Sequence, residues 1–330
     1  MTFAARLLRW HARHGRHDLP WQHPRTPYRV WVAEIMLQQT QVATVIPYYA
    51  RFLKRFPDVD ALARTPLDDV LALWSGLGYY ARGRNLHRAA RQIVAEHGGE
   101  FPRDLESAVA LPGIGRSTAG AILAQAFGAR QPILEGNARR LFARHAGIAG
   151  WPGAPRVAQK LWRIAEQRLP KARLADYTQA VMDLGATVCT ARAPCCVDCP
   201  VASDCVALAR GQVGRLPGRK PRRERPQRIA QLLLIENARG ELLLERRPER
   251  GIWGGLWCPP VVTGKAPAHA GRLIAKLPAI HHAFTHYDLE LRPVRLRANG
   301  APKTGSDWVK LAALPRYGLP APVRKLLMSL

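Results

Sequence analysis

Acidic side chains are scarce in this chain of 330 residues: 24 Asp and Glu stand against 50 Lys and Arg, a formal net charge of +26. That imbalance exceeds what solubility asks for and points to a polyanionic partner. Long apolar runs are also lacking. No stretch approaches the 18 or so residues that cross a bilayer, so no membrane association is expected. Residues 1–21 hold no continuous apolar core like that of a signal peptide, so the chain reads as cytoplasmic. The Arg-rich start (Arg6, Arg9, Arg13, Arg16) carries the charge of a mitochondrial transit peptide. Phe3, Leu7, Leu8 and Trp10 nevertheless have the spacing of an ordinary amphipathic helix, the reading adopted here. Internal repeats are absent. Cysteine is sparse, six residues in all, and five of them are crowded between positions 189 and 205.

The length suits two domains, each with its own core. Residues 1–209 read as all-α, with apolar positions every three or four residues and runs such as Leu67 to Trp74 broken by Gly or Pro. Residues 210–228 read as a linker. Between Gly211 and Arg228, Gly211, Gly214, Pro217, Gly218, Pro221 and Pro226 lie among seven basic residues and one acid, Glu224. It either touches phosphates or is a solvated spacer. From 229 to 330 the texture is α+β: the runs Ile229 to Ile235 and Glu241 to Glu245 flank an Asn237-Ala-Arg-Gly240 turn, and His281 to Leu291 alternates late in its length.

The crowded string is Cys189-Thr-Ala-Arg-Ala-Pro-Cys195-Cys196-Val-Asp-Cys199-Pro-Val-Ala-Ser-Asp-Cys205. Taking Cys189, Cys196, Cys199 and Cys205 gives gaps of six, two and five residues, which lets a short loop aim four thiolates at one metal centre. Zinc and an iron–sulfur cubane both accept four Cys. Cys195 is either a one-residue alternative to Cys196 or a free thiol, and Cys258 reads as a small buried apolar residue.

Leu111-Pro-Gly113-Ile-Gly115 separates a helical run ending at Ala110 from one beginning near Arg116, a helix-hairpin-helix pattern. Gly113 and Gly115 let backbone approach a phosphate, and the next helix offers free N–H groups. Glu34 stands in Val30-Trp-Val-Ala-Glu34-Ile-Met-Leu37, apolar on every helical face. If that face packs inward, burial raises its pKa and it becomes a proton donor; otherwise it is an exposed Glu. Gln38 and Gln41 give the same helix a polar end. Farther on, Ile133-Leu-Glu135-Gly-Asn137 places a carboxylate and an amide together.

Taken with Leu19-Pro-Trp21, Trp31-Val-Ala-Glu34-Ile-Met-Leu-Gln-Gln-Thr-Gln41, Gly76-Leu-Gly-Tyr-Tyr-Ala81 and Leu111-Pro-Gly-Ile-Gly-Arg-Ser-Thr118, the cysteine quartet makes nearly the whole chain resemble the MutY-type adenine DNA glycosylases. The resemblance implies a helix-hairpin-helix glycosylase domain with a [4Fe-4S] cluster on Cys189, Cys196, Cys199 and Cys205. A Nudix-like 8-oxoguanine recognition domain follows it. It implies a monofunctional hydrolase that excises adenine mispaired with 8-oxoguanine or guanine in double-stranded DNA, acting as a nucleoid-associated monomer. Glu34 matches the acid that protonates adenine N7. Glu135 falls where the family has Asp, the carboxylate that stabilises the oxocarbenium ion, and Asn137 matches its neighbouring amide. The extra methylene is a departure that bears on rate, since catalytic geometry is sensitive at about 1 Å. It also keeps open an alternative, a catalytically weak mispair-binding protein.

Ser117 replaces the Schiff-base Lys of related endonuclease III-like lyases, leaving no amine nucleophile there. Gln38 and Tyr79 match residues that wedge into the duplex, and Trp21 and Asp183 match the adenine pocket. Trp21 and Tyr79 also read simply as packing aromatics. Gly251-Ile-Trp-Gly-Gly-Leu-Trp257 marks the second domain, in which no Glu-rich Nudix helix is visible, so a reader without hydrolase chemistry is implied. The family's Phe-Ser-His loop for 8-oxoguanine becomes Phe284, Thr285 and His286.

Overall fold

Some helix starts follow short polar side chains: Thr26 Oγ1 accepts from Arg29 N at 3.3 Å and Asp104 Oδ1 from Ser107 N at 2.8 Å. The computed structural model describes residues 1–221, 224–249, 251–264, 270–284, 286–299 and 306–330. Its helices begin with α1 (Phe3–His14), α2 (Pro27–Leu37), α3 (Val42–Arg55) and α4 (Val59–Arg64). Next come α5 (Leu67–Trp74), α6 (Ala81–His97), α7 (Leu105–Ala110) and α8 (Arg116–Phe127). The helical part closes with α9 (Gly136–His145), α10 (Pro155–Gln167), α11 (Leu174–Thr187) and the short α12 (Val206–Ala209).

Two compact units emerge, Met1–Ala63 with Arg88–Arg222, and Arg64–His87 with Arg223–Leu330. In the first, α11 is apolar on most of its surface and packs against α1, α8 and α9. Leu7, Leu134, Phe142, Leu161, Val181 and Leu184 form its core. A second packing centre joins α2 to α3 and α8. The α1 amphipathic reading holds: Phe3, Leu7 and Leu8 are buried while Arg9 and Arg13 are exposed.

The second unit is a mixed sheet of eight strands among the described residues, flanked by α13 (Ala321–Leu327). β1 (Gln227–Glu236) and β2 (Leu242–Arg246) form a hairpin. Asn237 Oδ1 makes the turn by accepting from Arg239 N at 2.9 Å and Glu241 N at 3.0 Å, and Gly240 takes φ 74°. β3 (Trp257–Cys258), β4 (Val261–Val262), β5 (Arg272–Lys276) and β6 (Ile280–Ala283) precede β7 (Asp288–Arg297), which pairs parallel to β1 from Gln227↔Asp288 to Glu236↔Arg297. β8 (Ser306–Val309) pairs with β2. Period-2 alternation sends Leu232 and Leu234 to one core face, and Leu233 and Ile235 to the other. Both faces are covered, which is why β1 reads as a continuous apolar run rather than an alternating one.

Residues 64–87 pack within this second unit. The Tyr80 hydroxyl donates to Leu319 O at 2.8 Å, Arg246 pairs with Asp68 at 2.9 Å, and Arg84 Nη1 donates to Gly254 O. That last bond accounts for part of the Gly-rich string. A Cβ on Gly254 would lie 2.1 Å from Glu249 O, and Gly255 takes φ 73° beside the Arg84 side chain.

Candidate active site

Glu34 is the one acid of α2, whose Val30, Trp31, Val32, Ala33, Ile35 and Met36 are all buried. The Glu34 carboxyl is partly buried, and Gln125 Nε2 of α8 donates to its Oε1 at 2.9 Å. Burial pushes its pKa up to about 7 against the opposing effect of the Gln125 bond, and the nearby Glu135 charge pushes it further the same way. A carboxyl of this kind holds a proton near neutral pH and can deliver it.

Glu135 is the N-cap of α9. Its longer side chain folds back so that Oε2 accepts from Asn137 N at 2.7 Å and Oε1 from Ala138 N at 2.8 Å. Burial raises its pKa, with those two N–H groups and the charges of Arg140 and Arg139 acting against it. Asn137 Oδ1 accepts from Arg140 Nη2 at 2.7 Å. The segment leading to Glu135 is fixed from α8, where Ser117 Oγ accepts from Leu134 N at 2.8 Å. Ser117 thus positions the Glu135 segment from the first turn of the helix.

Two glycines allow that approach. A Cβ on Gly120 would sit 2.5 Å from Pro132 O, and one on Gly185 would sit 2.6 Å from the Asn137 Cβ. Gly120→Ala is expected to cost about 1–3 kcal/mol by overpacking, read as a lower melting temperature, and to displace the Glu135 segment.

The Leu111–Gly115 turn joins α7 to α8, with Gly113 at φ 81°. Gly113 and Gly115 are exposed, and a Cβ on Gly115 would meet nothing within 4 Å. Gly115 caps α8 without a side-chain acceptor and no acid lies in the first turn. The free N–H groups and the helix dipole therefore offer an anion site, with Arg116 beside it. Gln38 ends α2 and donates to Thr118 Oγ1 of the same first turn at 3.3 Å.

Trp21 is buried, edge-on to Tyr49 at 5.5 Å between ring centroids. Asp183 is fully buried, and its oxygens accept from Arg16 N and Nε and from Gln179 Nε2, each at 2.8 Å. Burial pushes its carboxyl up, but His11 and the Arg16 donors outweigh that and hold it below the usual range. Asp183 thereby anchors the segment that carries Trp21, since the Arg16 carbonyl in turn accepts from Gln22 Nε2 at 2.9 Å.

Cys189, Cys196, Cys199 and Cys205 ring one cavity floored by Leu141, Arg144 and Val201. Arg144 Nη1 donates to Cys189 Sγ at 3.4 Å and to Thr190 O at 2.6 Å, and its Nε to Leu216 O at 2.9 Å. This buried guanidinium ties the loop to α9 and supplies positive charge beside the thiols. Burial pushes Cys199 up to about 11, with Cys189, Cys205 and Cys196 adding to the effect, as mutually repelling thiolates would. Cys195 also borders this cavity, but it is exposed and its Sγ donates to Asp198 Oδ2 at 2.9 Å. Among the described residues no three His, Cys, Asp or Glu side chains are arranged to hold a single metal ion.

Tyr79, Phe284 and His286 belong to the second unit, and Thr285 lies outside the described residues. Tyr79 is 53% exposed at φ 47°, a conformation unusual for a bulky side chain, and Arg82 stands over its ring at 5.6 Å. Phe284 is half-buried, edge-on to His282 at 4.5 Å, while His286 is exposed against Tyr287 at 4.8 Å.

Gln125, Gln179 and Arg144 were not singled out from the sequence, and Arg16 was read only as part of a basic start. Gln125 carried a readable signal, a lone amide closing the otherwise apolar stretch from Ala119 to Ala124. The others depend on partners distant in the chain.

The chain matches two family models, a base excision DNA repair protein superfamily of the helix-hairpin-helix-GPD type over residues 32–167 and a NUDIX domain over residues 231–329. It is 36% identical to the adenine DNA glycosylase of Buchnera aphidicola (subsp. Acyrthosiphon pisum, strain APS), over 98% of this chain and 96% of that one. It is also 36% identical to the human adenine DNA glycosylase, over 91% of this chain and 67% of that protein. A solved thermostable thymine-DNA glycosylase is similar with a TM-score of 0.58 at 27% identity, covering 63% of this chain and 95% of that one.

Proposed function

This chain belongs to the family of adenine DNA glycosylases, a base excision repair enzyme, and from that premise we propose that it excises adenine paired with 8-oxoguanine in duplex DNA. The observation that carries the catalytic part is Glu34, a carboxyl held near neutral pKa inside an apolar helix and beside a second carboxylate, Glu135. The two backbone N–H groups that Glu135 accepts favour its ionised form, which sets its role apart from that of Glu34. The Glu34 carboxyl gives its proton to adenine N7; the C1′–N9 bond breaks with its electron pair going to the base. Ionised Glu135 stabilises the cationic sugar, and water adds at C1′, its proton passing to the Glu34 carboxylate and restoring the acid. With a hydroxyl rather than an amine at position 117, and that hydroxyl committed to Leu134 N, no Schiff base forms there and the strand is left intact.

On the same reading, the open N-terminus of α8 with Gly113 and Gly115 binds a backbone phosphate. Gln38 and the strained, exposed Tyr79 enter the duplex, lowering the cost of flipping the base. Trp21 lines the pocket that receives it, and Asp183 holds that wall in place. Phe284, Thr285 and His286, in the part matched by the NUDIX model, read the 8-oxoguanine. The enzyme acts as a monomer on nucleoid DNA in the cytoplasm.

Cys189, Cys196, Cys199 and Cys205 would hold a [4Fe-4S] cluster; four thiols lining one cavity suit such a group. When bound, the cluster cross-links the loop from 189 to 205 and adds a redox-capable iron centre. Purified protein should be brown, absorb near 400 nm, roughly where such clusters do, and lose both colour and thermal stability in Cys199→Ser. A colourless zinc protein would contradict this assignment.

The functional test is single-turnover incubation with a duplex bearing one adenine opposite 8-oxoguanine, followed by alkali. Strand scission at that adenine only after alkali supports the reading. Scission equally fast with adenine opposite guanine or thymine would sink the mispair part. The engagement of both Glu135 oxygens by α9 favours one other reading, a mispair-binding protein with weak catalysis. Tight binding with no alkali-labile site would decide for it.

A further inference from the structure

The residues Ala119 to Gln125 of α8 are all buried, and Gln125 is the one among them with a polar side chain able to bond beyond its own helix. A buried amide is expensive unless its groups are bonded. Half of this one is: Nε2 reaches Glu34 Oε1 at 2.9 Å, while Oε1 is buried with no partner. An amide that donates to Glu34 serves its ionised form. Turned by half a rotation about its last torsion, the same amide presents Oε1 and accepts from the protonated form. Amide nitrogen and oxygen occupy nearly identical space, so the turn needs no rearrangement of the apolar neighbours.

We infer that Gln125 is a positioning residue for the adenine-excision step, an uncharged amide that stays bonded to Glu34 in both protonation states and keeps its carboxyl aimed before and after the proton leaves. The inference rests on the proposed role of Glu34 as proton donor. Of the elements packed around α2, α8 contributes Gln125, and α3 contributes Tyr49, whose hydroxyl donates to Arg29 O at 3.3 Å. The charge acting on Glu34 from α9 is that of Glu135. Of the two bonds, the charge-assisted one to the ionised form is the stronger, so the amide as a whole favours proton release, opposing burial and the Glu135 charge. Removing it leaves a stronger hold on the proton, so the loss of activity at alkaline pH should move upward.

The test compares Gln125→Met, which keeps length and burial without hydrogen bonds, Gln125→Glu and Glu34→Gln. Single-turnover excision is measured from pH 5 to 9, and Glu34 itself is titrated in the free protein by isotope-edited infrared spectroscopy. In Gln125→Met the alkaline limb and the Glu34 titration should both rise by about one pH unit, with the maximal rate reduced roughly tenfold by lost aim. Gln125→Glu should raise the Glu34 titration further, because two adjacent carboxylates share one proton. Duplex binding should match wild type in all three. An unmoved titration and pH profile in Gln125→Met, with Glu34→Gln inactive, would overturn the role of Gln125 alone. Activity persisting in Glu34→Gln would overturn the proton-donor reading on which it stands.

Discussion

Glu34→Gln should lower single-turnover adenine excision roughly a thousandfold, the scale of a lost general acid, with duplex binding unchanged. The amide has the shape of the carboxylic acid and can still bond to Gln125, so position is kept and only the transferable proton is lost. The wild-type rate should fall as pH rises through about 7, where Glu34 ionises. Stability follows the same group with a definite sign. Its folded-state pKa is raised above the unfolded value of 4.5, so the native state binds more protons between pH 4.5 and about 7 and loses stability across that window. Glu34→Gln removes this dependence. At pH 8 the variant should be more stable than wild type by about 1–2 kcal/mol, a value discounted for partial solvent access, and at pH 4 it should show no gain. Denaturant melts at both pH values check this. Equal stability differences at the two would mean that Glu34 is not held protonated by its surroundings.

Glu135 gives the other large effect. Glu135→Gln should cut excision roughly a hundredfold, because the charge facing the cationic sugar is removed. It should also cost about 1 kcal/mol of stability through weaker capping of α9. Glu135→Asp separates geometry from charge. Asp is among the best N-cap residues, so it should hold the Asn137 and Ala138 N–H groups with a shorter arm and keep the melting temperature. Its excision rate should equal or exceed that of wild type. A rate a hundredfold lower in Glu135→Asp would mean that the chain has been built around the longer acid, with the segment before α9 set back to accommodate it.

The fold was legible wherever periodicity and turn chemistry agreed. The α5 run, the α7–α8 hairpin and the Asn237–Gly240 turn each lie where their residues place them, because each is decided by neighbours within a few positions. The grouping of residues 64–87 with the second unit was not legible. Helical spacing reports that a face is buried but not against what, and the bonds from Tyr80 to Leu319 and from Arg84 to Gly254 span more than half the chain.

Glu34 shows the same division within one residue. Its apolar neighbours could be counted in the sequence, and they made a raised pKa conceivable. Its value depended on how deeply α2 packs, on an amide 91 positions away and on the charge of Glu135. Likewise the spacing of the cysteines pointed to a thiol loop, while the hydrogen bond from Cys195 to Asp198 needed the backbone path.

By itself, then, the amino-acid order determined a basic, two-part chain with a hairpin, a thiol loop and two candidate acids, since charge, period and short-range turns are local properties. Tertiary structure alone decided that Ser117 braces the Glu135 segment, that Asp183 anchors the wall bearing Trp21 and that Gln125 meets Glu34. Those are contacts between residues far apart in sequence, and hydrogen bonding and burial acquire direction only when the helices are packed.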